Sequence, residues 1–185
     1  MKSIDEYINE KLILNKNIKK QYKYFPKYSD ELKAIIIKLV NEQSNEDIIN
    51  LNCIDTSKIT SMSQLFRGLN NIIKIDVSDW DTFNVNDFSM MFTECNNLEE
   101  IIGLENFNTS NVTDMSFMFD NCKNLLRIDI SNWDVSKVKD IQHMFDCCFN
   151  LETIGDVSHF DFESMIENNA YHTFSTCKKL KCDIR

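Results

Sequence analysis

Within 185 residues, 29 carboxylates stand against 20 lysines and arginines, a formal charge of −9. That balance disfavours a surface built to hold nucleic acid or anionic membrane, since both need clustered Lys and Arg. The opening MKSIDEYINEKL is broken by charges and lacks an apolar core with a cleavage site, and no run of about 18 apolar residues occurs; the expectation is no membrane span and a cytoplasmic or virus- or phage-associated protein rather than a classically secreted one.

In chain order, Ile4, Tyr7, Ile8 and Leu12 have helical spacing over residues 1 to about 14. Residues 15–28, NKNIKKQYKYFPKY, carry five lysines, four aromatics and the only proline, Pro26. Lysines for phosphates and rings for base stacking would suit a single-stranded nucleic-acid site; the other reading is a linker whose aromatics fold back onto the first repeat of the body. Ser29 or Asp30 can cap a second helix in which Leu32, Ile35, Ile36, Leu39 and Val40 make one apolar stripe. After the polar run NEQSNED, Ile48, Ile49 and Leu51 suit an edge strand. Residues 1–45 are thus read as an N-terminal helical cap with its basic, aromatic linker, and 46–185 as the body of the protein.

The body repeats. QLFRGLNNI, MMFTECNNL, FMFDNCKNL, HMFDCCFNL and HTFSTCKKL align on Phe66, Phe92, Phe119, Phe145 and Phe174, at separations of 26, 27, 26 and 29 residues. Such periods are those of a leucine-rich repeat. Leu125, Ile128 and Ile130 fit the L-x-x-L-x-L strand of that repeat, Ile72, Ile75 and Val77 copy it, and Leu98, Ile101 and Leu104 copy it with one extra residue, expected, like the matching one after Ile154, as a bulge or a loosened strand end. Trp80, Phe107, Trp133 and Phe160 come next at equivalent places and are read as core rings. Met115, Met118, Phe119 and Cys122 then suggest a helix of about two turns behind a Ser/Thr/Asp start. Cys95, Cys122, Cys148 and Cys177 fall three residues after the repeat phenylalanine, where the first copy has Leu69, so they read as apolar core sites, with disulfides between neighbours the alternative. One unit is too small to close a core alone; side-by-side stacking, with strands about 4.8 Å apart, would close it. The fold expected is an α/β solenoid of about five leucine-rich repeats, with a parallel sheet on its concave side and short helices on the other.

DVSDWDTFNVNDFSMMF, FNTSNVTDMSFMF and DISNWDVSKVKDIQHMF, each followed by the xxCxxL phrase, closely resemble the leucine-rich repeats of bacterial surface proteins called BspA-like, over about residues 51–180. The resemblance implies a right-handed superhelix and a non-enzymatic role, commonly adhesion to host proteins or other cells.

No catalytic constellation is legible. His143 and His172 stand two residues before the repeat phenylalanine, where other units have Gln64, Met90 and Phe117, an exchange that a general base would not tolerate. The pair His143 and Cys147 has i, i+4 spacing but no third orienting residue. Three glycines cannot build a phosphate cradle, and no enzymatic activity or cofactor is expected. Outward positions of the strands supply a mixed, mostly acidic stripe, Lys74, Asp76, Glu99, Glu100, Arg127, Asp129, Glu152 and Thr153. Either these are ordinary solvated strand residues or they contact a protein partner, the acids selecting basic groups. The function expected is a protein-interaction or adhesion module; the alternatives are a nucleic-acid-associated accessory working through 15–28 and a purely structural scaffold.

Overall fold

The computed structural model describes residues 22–160 and 172–181. The helix expected over 1–14, residues 15–21 of the basic segment and residues 161–171 of the fifth unit lie outside them.

Helix α1 (Ser29–Glu42) forms where the apolar spacing puts it, burying Leu32, Ile36, Leu39 and Val40. Its start differs from expectation: Tyr28 is the N-cap, in extended conformation, and no side chain caps the turn. Ser29 instead donates its hydroxyl to the Ser61 carbonyl, and Lys33 Nζ donates to Gln64 O at 2.8 Å, which ties α1 to the first unit. At the far end the Gln43 carboxamide accepts from Asn50 N at 2.8 Å and donates to Asn50 O at 3.0 Å. A primary amide carries the donor and acceptor of a peptide group, so Gln43 covers this part of a strand edge as a neighbouring strand would.

β1 (Ile49–Asn50), β2 (Lys74–Asp76) and β3 (Glu100–Ile102) make one open parallel sheet in that order. Ile49 pairs with Ile75 and Ile75 with Ile101, and all three point into the core. On this face, among the described residues, the pairing beyond β3 thins to a bridge between Arg127 and Thr153, while a second row of parallel bridges joins Ser61, Asp87, Asp114 and Asp140. The cause lies in the extra residue of the third unit. Gly103 absorbs it at φ +92°, pressed so closely on the Ser78 backbone that a Cβ there would stand 2.1 Å from Ser78 Cα. Only glycine accepts that combination of left-handed φ and close approach.

The α/β solenoid of leucine-rich repeats is not what forms. Among the described residues there is one α-helix and a small three-stranded sheet that does not close, with a three-residue 3-10 turn at Leu104–Asn106, and no unit carries the helix expected after its ring. In the segment 115–122 alternate N–H groups that a helix would turn back on itself reach the next unit instead: Phe117 donates to Gln142 O at 2.8 Å, Phe119 to Met144 O at 2.9 Å and Asn121 to Asp146 O at 2.9 Å, while Met118, Asp120 and Cys122 close tight turns on the carbonyls three residues back. Gln64, Met90, Phe117, His143 and His172, two residues before the phenylalanine, all have φ between +54° and +63°, and Glu94, Asn121 and Cys147, two residues after it, between +57° and +64°. A left-handed residue on each side of the ring aims peptide groups at the neighbouring unit and excludes a helix. Each such residue costs roughly 1–2 kcal/mol, offset by the hydrogen bonds and packing it permits.

The units nevertheless lie in register. Phe66, Phe92, Phe119, Phe145 and Phe174 stack face to face with centroids 4.9, 5.5, 5.3 and 5.4 Å apart, close to one strand spacing. Each repeat cysteine donates its thiol to the preceding unit's phenylalanine carbonyl, as Cys122 does to Phe92 O at 3.1 Å. Cys95, Cys122 and Cys148 are buried free thiols, and burial pushes Cys95 up to about 12. Trp80 and Trp133 are buried, and their Nε1–H groups donate to Leu51 O and Leu104 O at 3.1 and 3.2 Å. At the corners, carboxylates accept the N–H two residues on, as Asp87 does from Ser89, Asp114 from Ser116 and Asp129 from Ser131. Much of the chain's negative charge is thus built into its turns.

Candidate functional site: an acidic groove on the sheet face

The period of two along the strands sends Ile75, Ile101 and Ile128 inward and their neighbours outward. Seven of the eight stripe residues, Lys74, Glu99, Glu100, Arg127, Asp129, Glu152 and Thr153, line a single groove of about 680 Å³ on the outer face of the sheet. The eighth, Asp76, is outside it. There burial pushes the carboxyl up, but hydrogen bonds from Ser78 and Asn52 outweigh it and hold Asp76 below the ordinary carboxylate range. Five lining positions that matter lie outside the stripe expected from the sequence: Ile102, Gly103, Glu105, Leu126 and Gly155. Gly103 and Gly155 are the inserted positions of the third and fifth units, both left-handed, and the one signal for them was the extra residue after Ile101 and Ile154.

The groove's cations are paired. Lys74 Nζ lies 2.9 Å from Glu100 Oε2, and Arg127 Nη2 lies 3.3 Å from Glu152 Oε2, each pair joining adjacent units. Glu100 is the main cause that raises Lys74 above the ordinary lysine value. With those pairs subtracted from two bases and five acids, Glu99, Glu105 and Asp129 leave three negative charges along the groove. Hydrogen bonds from Ser131 hold the Asp129 carboxyl below the ordinary range, so it is ionised at neutral pH. Leu126 and Ile102 add apolar wall, and Leu126 is 43% exposed. Groups that recognise cations and aliphatic stems are present; an activated nucleophile is not among the lining residues.

The His143 and Cys147 pair is not brought together as a dyad. His143 Nδ1 lies 3.1 Å from Asp146 Oδ2, and its ring stacks between Phe117 and His172. Burial first, then Asp146 and Asp120, push the Cys147 thiol up, the wrong direction for a nucleophile. Among the described residues Asp120, Asp146 and Cys147 are the group whose donor atoms lie within 4.8 Å of one another, as metal ligands would. Both Asp146 oxygens are already engaged, by His143 on one side and by Thr176 and the Cys147 N–H on the other. In the basic segment, Tyr24 folds back to pair with Ile54, which is the linker reading for that residue. No helix among the described residues is long and apolar enough to cross a membrane.

The geometry defines a repeat protein whose described units are joined through backbone ladders and ring stacks, with an acidic groove on the face where the units differ. The chain belongs to the family described as "Mycoplasma protein of unknown function, DUF285", whose model matches residues 36–153 and again 94–185. No curated protein and no solved structure matches it.

Proposed function

We propose that the protein is a non-enzymatic interaction module that holds a basic segment of a protein partner in the groove of Glu99, Glu100, Glu105, Asp129 and Glu152. The observation that carries this reading is the charge balance of the groove: both cations sit in pairs with glutamates, and three further carboxylates border an exposed apolar wall. Such a surface favours lysine and arginine side chains, whose stems cover apolar atoms while their heads meet carboxylates. The finer placement we propose is kinship with BspA-like surface proteins, supported by the Trp-Asp, Asp-Met-Ser and Met-Phe-xx-Cys-xx-Leu phrases. It agrees with an adhesion-type contact to a protein.

Titration of the full chain with a fluorescent Lys/Arg-rich dodecapeptide tests the reading. Saturable binding that weakens with salt and is lost in the Glu99→Lys, Glu100→Lys, Glu152→Lys triple variant is expected, since rim charges act through screened fields with a reach of about 8–10 Å. Equal binding by the wild type and a folded triple variant contradicts it.

A further inference from the structure

Among the described residues, the segment around Tyr24 lies apart from the groove. Around Tyr24 the backbone is pinned: the Lys23 and Tyr24 N–H groups donate to Cys53 O at 2.7 and 3.2 Å, and Asp55 N donates to Tyr24 O at 2.9 Å. The same anchoring turns Lys23, Phe25, Lys27 and Tyr28 outward. Phe25 and Tyr28, 63% and 69% exposed, are the most exposed large apolar side chains among the described residues. Two rings and two ammonium groups, the Lys23 one 5.3 Å over the Tyr24 ring, form a small aromatic knob whose lysines outnumber the Glu31 carboxylate that accepts the Lys27 N–H at 2.8 Å, on a chain of net charge −9. Cys53–Asp55, where it is pinned, contribute nothing to the groove lining.

We infer that the two surfaces meet between copies: the Lys23–Tyr28 knob of one copy docks into the acidic groove of a second copy of this chain. The inference rests on the groove being a receptor for basic protein segments, and it names the segment. Lysine ammonium groups of the knob meet Glu99, Glu105 and Asp129, while its rings cover Ile102 and Leu126. The knob is preordered by its contacts to residues 53–55, so little backbone freedom is lost on docking. Because knob and groove are different surfaces, the contact is head-to-tail, and every assembly keeps one open knob and one open groove unless it closes into a ring. The protein therefore associates step by step with rising concentration.

Sedimentation velocity of the full chain over a concentration series tests this. The wild type is expected to gain mass with concentration, and either Lys23→Glu with Lys27→Glu, or Glu99→Lys with Glu105→Lys, weakens that association about tenfold, as loss of two ion pairs would. Mixing the two charge-reversed variants restores association, because the unaltered knob of the groove variant meets the unaltered groove of the knob variant and the acidic knob faces the basic groove. Circular dichroism on each variant excludes unfolding as the cause. A wild type that stays monomeric, or reversed variants that are folded but do not reassociate on mixing, overturns the inference. A monomer that still binds the Lys/Arg-rich peptide overturns it while sparing the groove reading; failure of both overturns both. A monomer that shifts a single-stranded oligonucleotide, with the shift abolished by the two lysine reversals, gives the knob to nucleic acid and likewise overturns the contact.

Discussion

The phenylalanine column and the sheet face are two products of the same 26-residue period, and they have opposite regularity. In the column, five rings stack at nearly constant spacing, and the same thiol-to-carbonyl bond recurs four times. On the sheet face, pairing is regular through β3 and then breaks at Gly103, and the outward residues change charge from unit to unit. The column is where units must be alike to hold together; the face is free to vary and carries the groove. On the proposed function, stability and recognition are therefore separable by mutation.

Phe119→Ala is the severest way to test that division. Its ring is fully buried and stacks on both Phe92 and Phe145, so a loss of about 3–5 kcal/mol is expected in chemical denaturation. A loss below about 1 kcal/mol, the scale of an ordinary surface substitution, would break the comparison. Gly103→Ala comes next, at about 3 kcal/mol, because the new methyl meets backbone that cannot swing away. Gly68→Ala sharpens the point: φ is +73° there but nothing lies within 4 Å, so about 1 kcal/mol is expected, and equal losses at the two glycines would refute the close-approach argument. Trp133→Phe keeps an apolar ring but removes the indole hydrogen bond to Leu104 O, which retains the Phe107 N–H, so about 1 kcal/mol is expected.

Smaller effects belong to charges. Asp129 and Asp134 are held below the ordinary carboxylate range by hydrogen bonds from Ser131 and Ser136. A depressed folded-state value stabilises the fold above the unfolded value, about 3.9, and that contribution is lost as pH falls through the folded value. Thermal midpoints should thus decline on acidification below about pH 4, and Asp129→Asn should flatten the decline; an unchanged profile in the variant would contradict the turn assignment. Lys74→Met should change stability by less than about 1 kcal/mol, because the pair with Glu100 is solvent-exposed.

Much of the column is legible in the chain's residues alone. The spacing of Phe66, Phe92, Phe119, Phe145 and Phe174 sets the period, and the Leu69 to Cys95 exchange marks an apolar site. The stripe of α1 is equally plain, and so are the outward strand residues that converge on the groove. What misleads is the series Met115, Met118, Phe119, Cys122. An i, i+3, i+4, i+7 pattern reports only which side chains turn inward, and consecutive tight turns produce it as well as a helix does. The left-handed positions give almost no signal, because Gln, Met, Phe and His fill one of them and Glu, Asn and Cys the other; only Gly68 and Asn121 are residue types that favour such backbone. The groove's depth is hidden for a related reason. It depends on Gly103 and Gly155, whose extra residue can be counted in the sequence but whose left-handed turn and contact with the neighbouring unit exist only in three dimensions.

Amide hydrogen exchange on the full chain, with and without the Lys/Arg-rich peptide, tests most directly whether recognition sits on the variable face. Added protection is expected at residues 99–105, 126–129 and 152–155, with the Phe92, Phe119 and Phe145 amides unchanged. Protection confined to other surfaces, or spread evenly over the phenylalanine column, would contradict it.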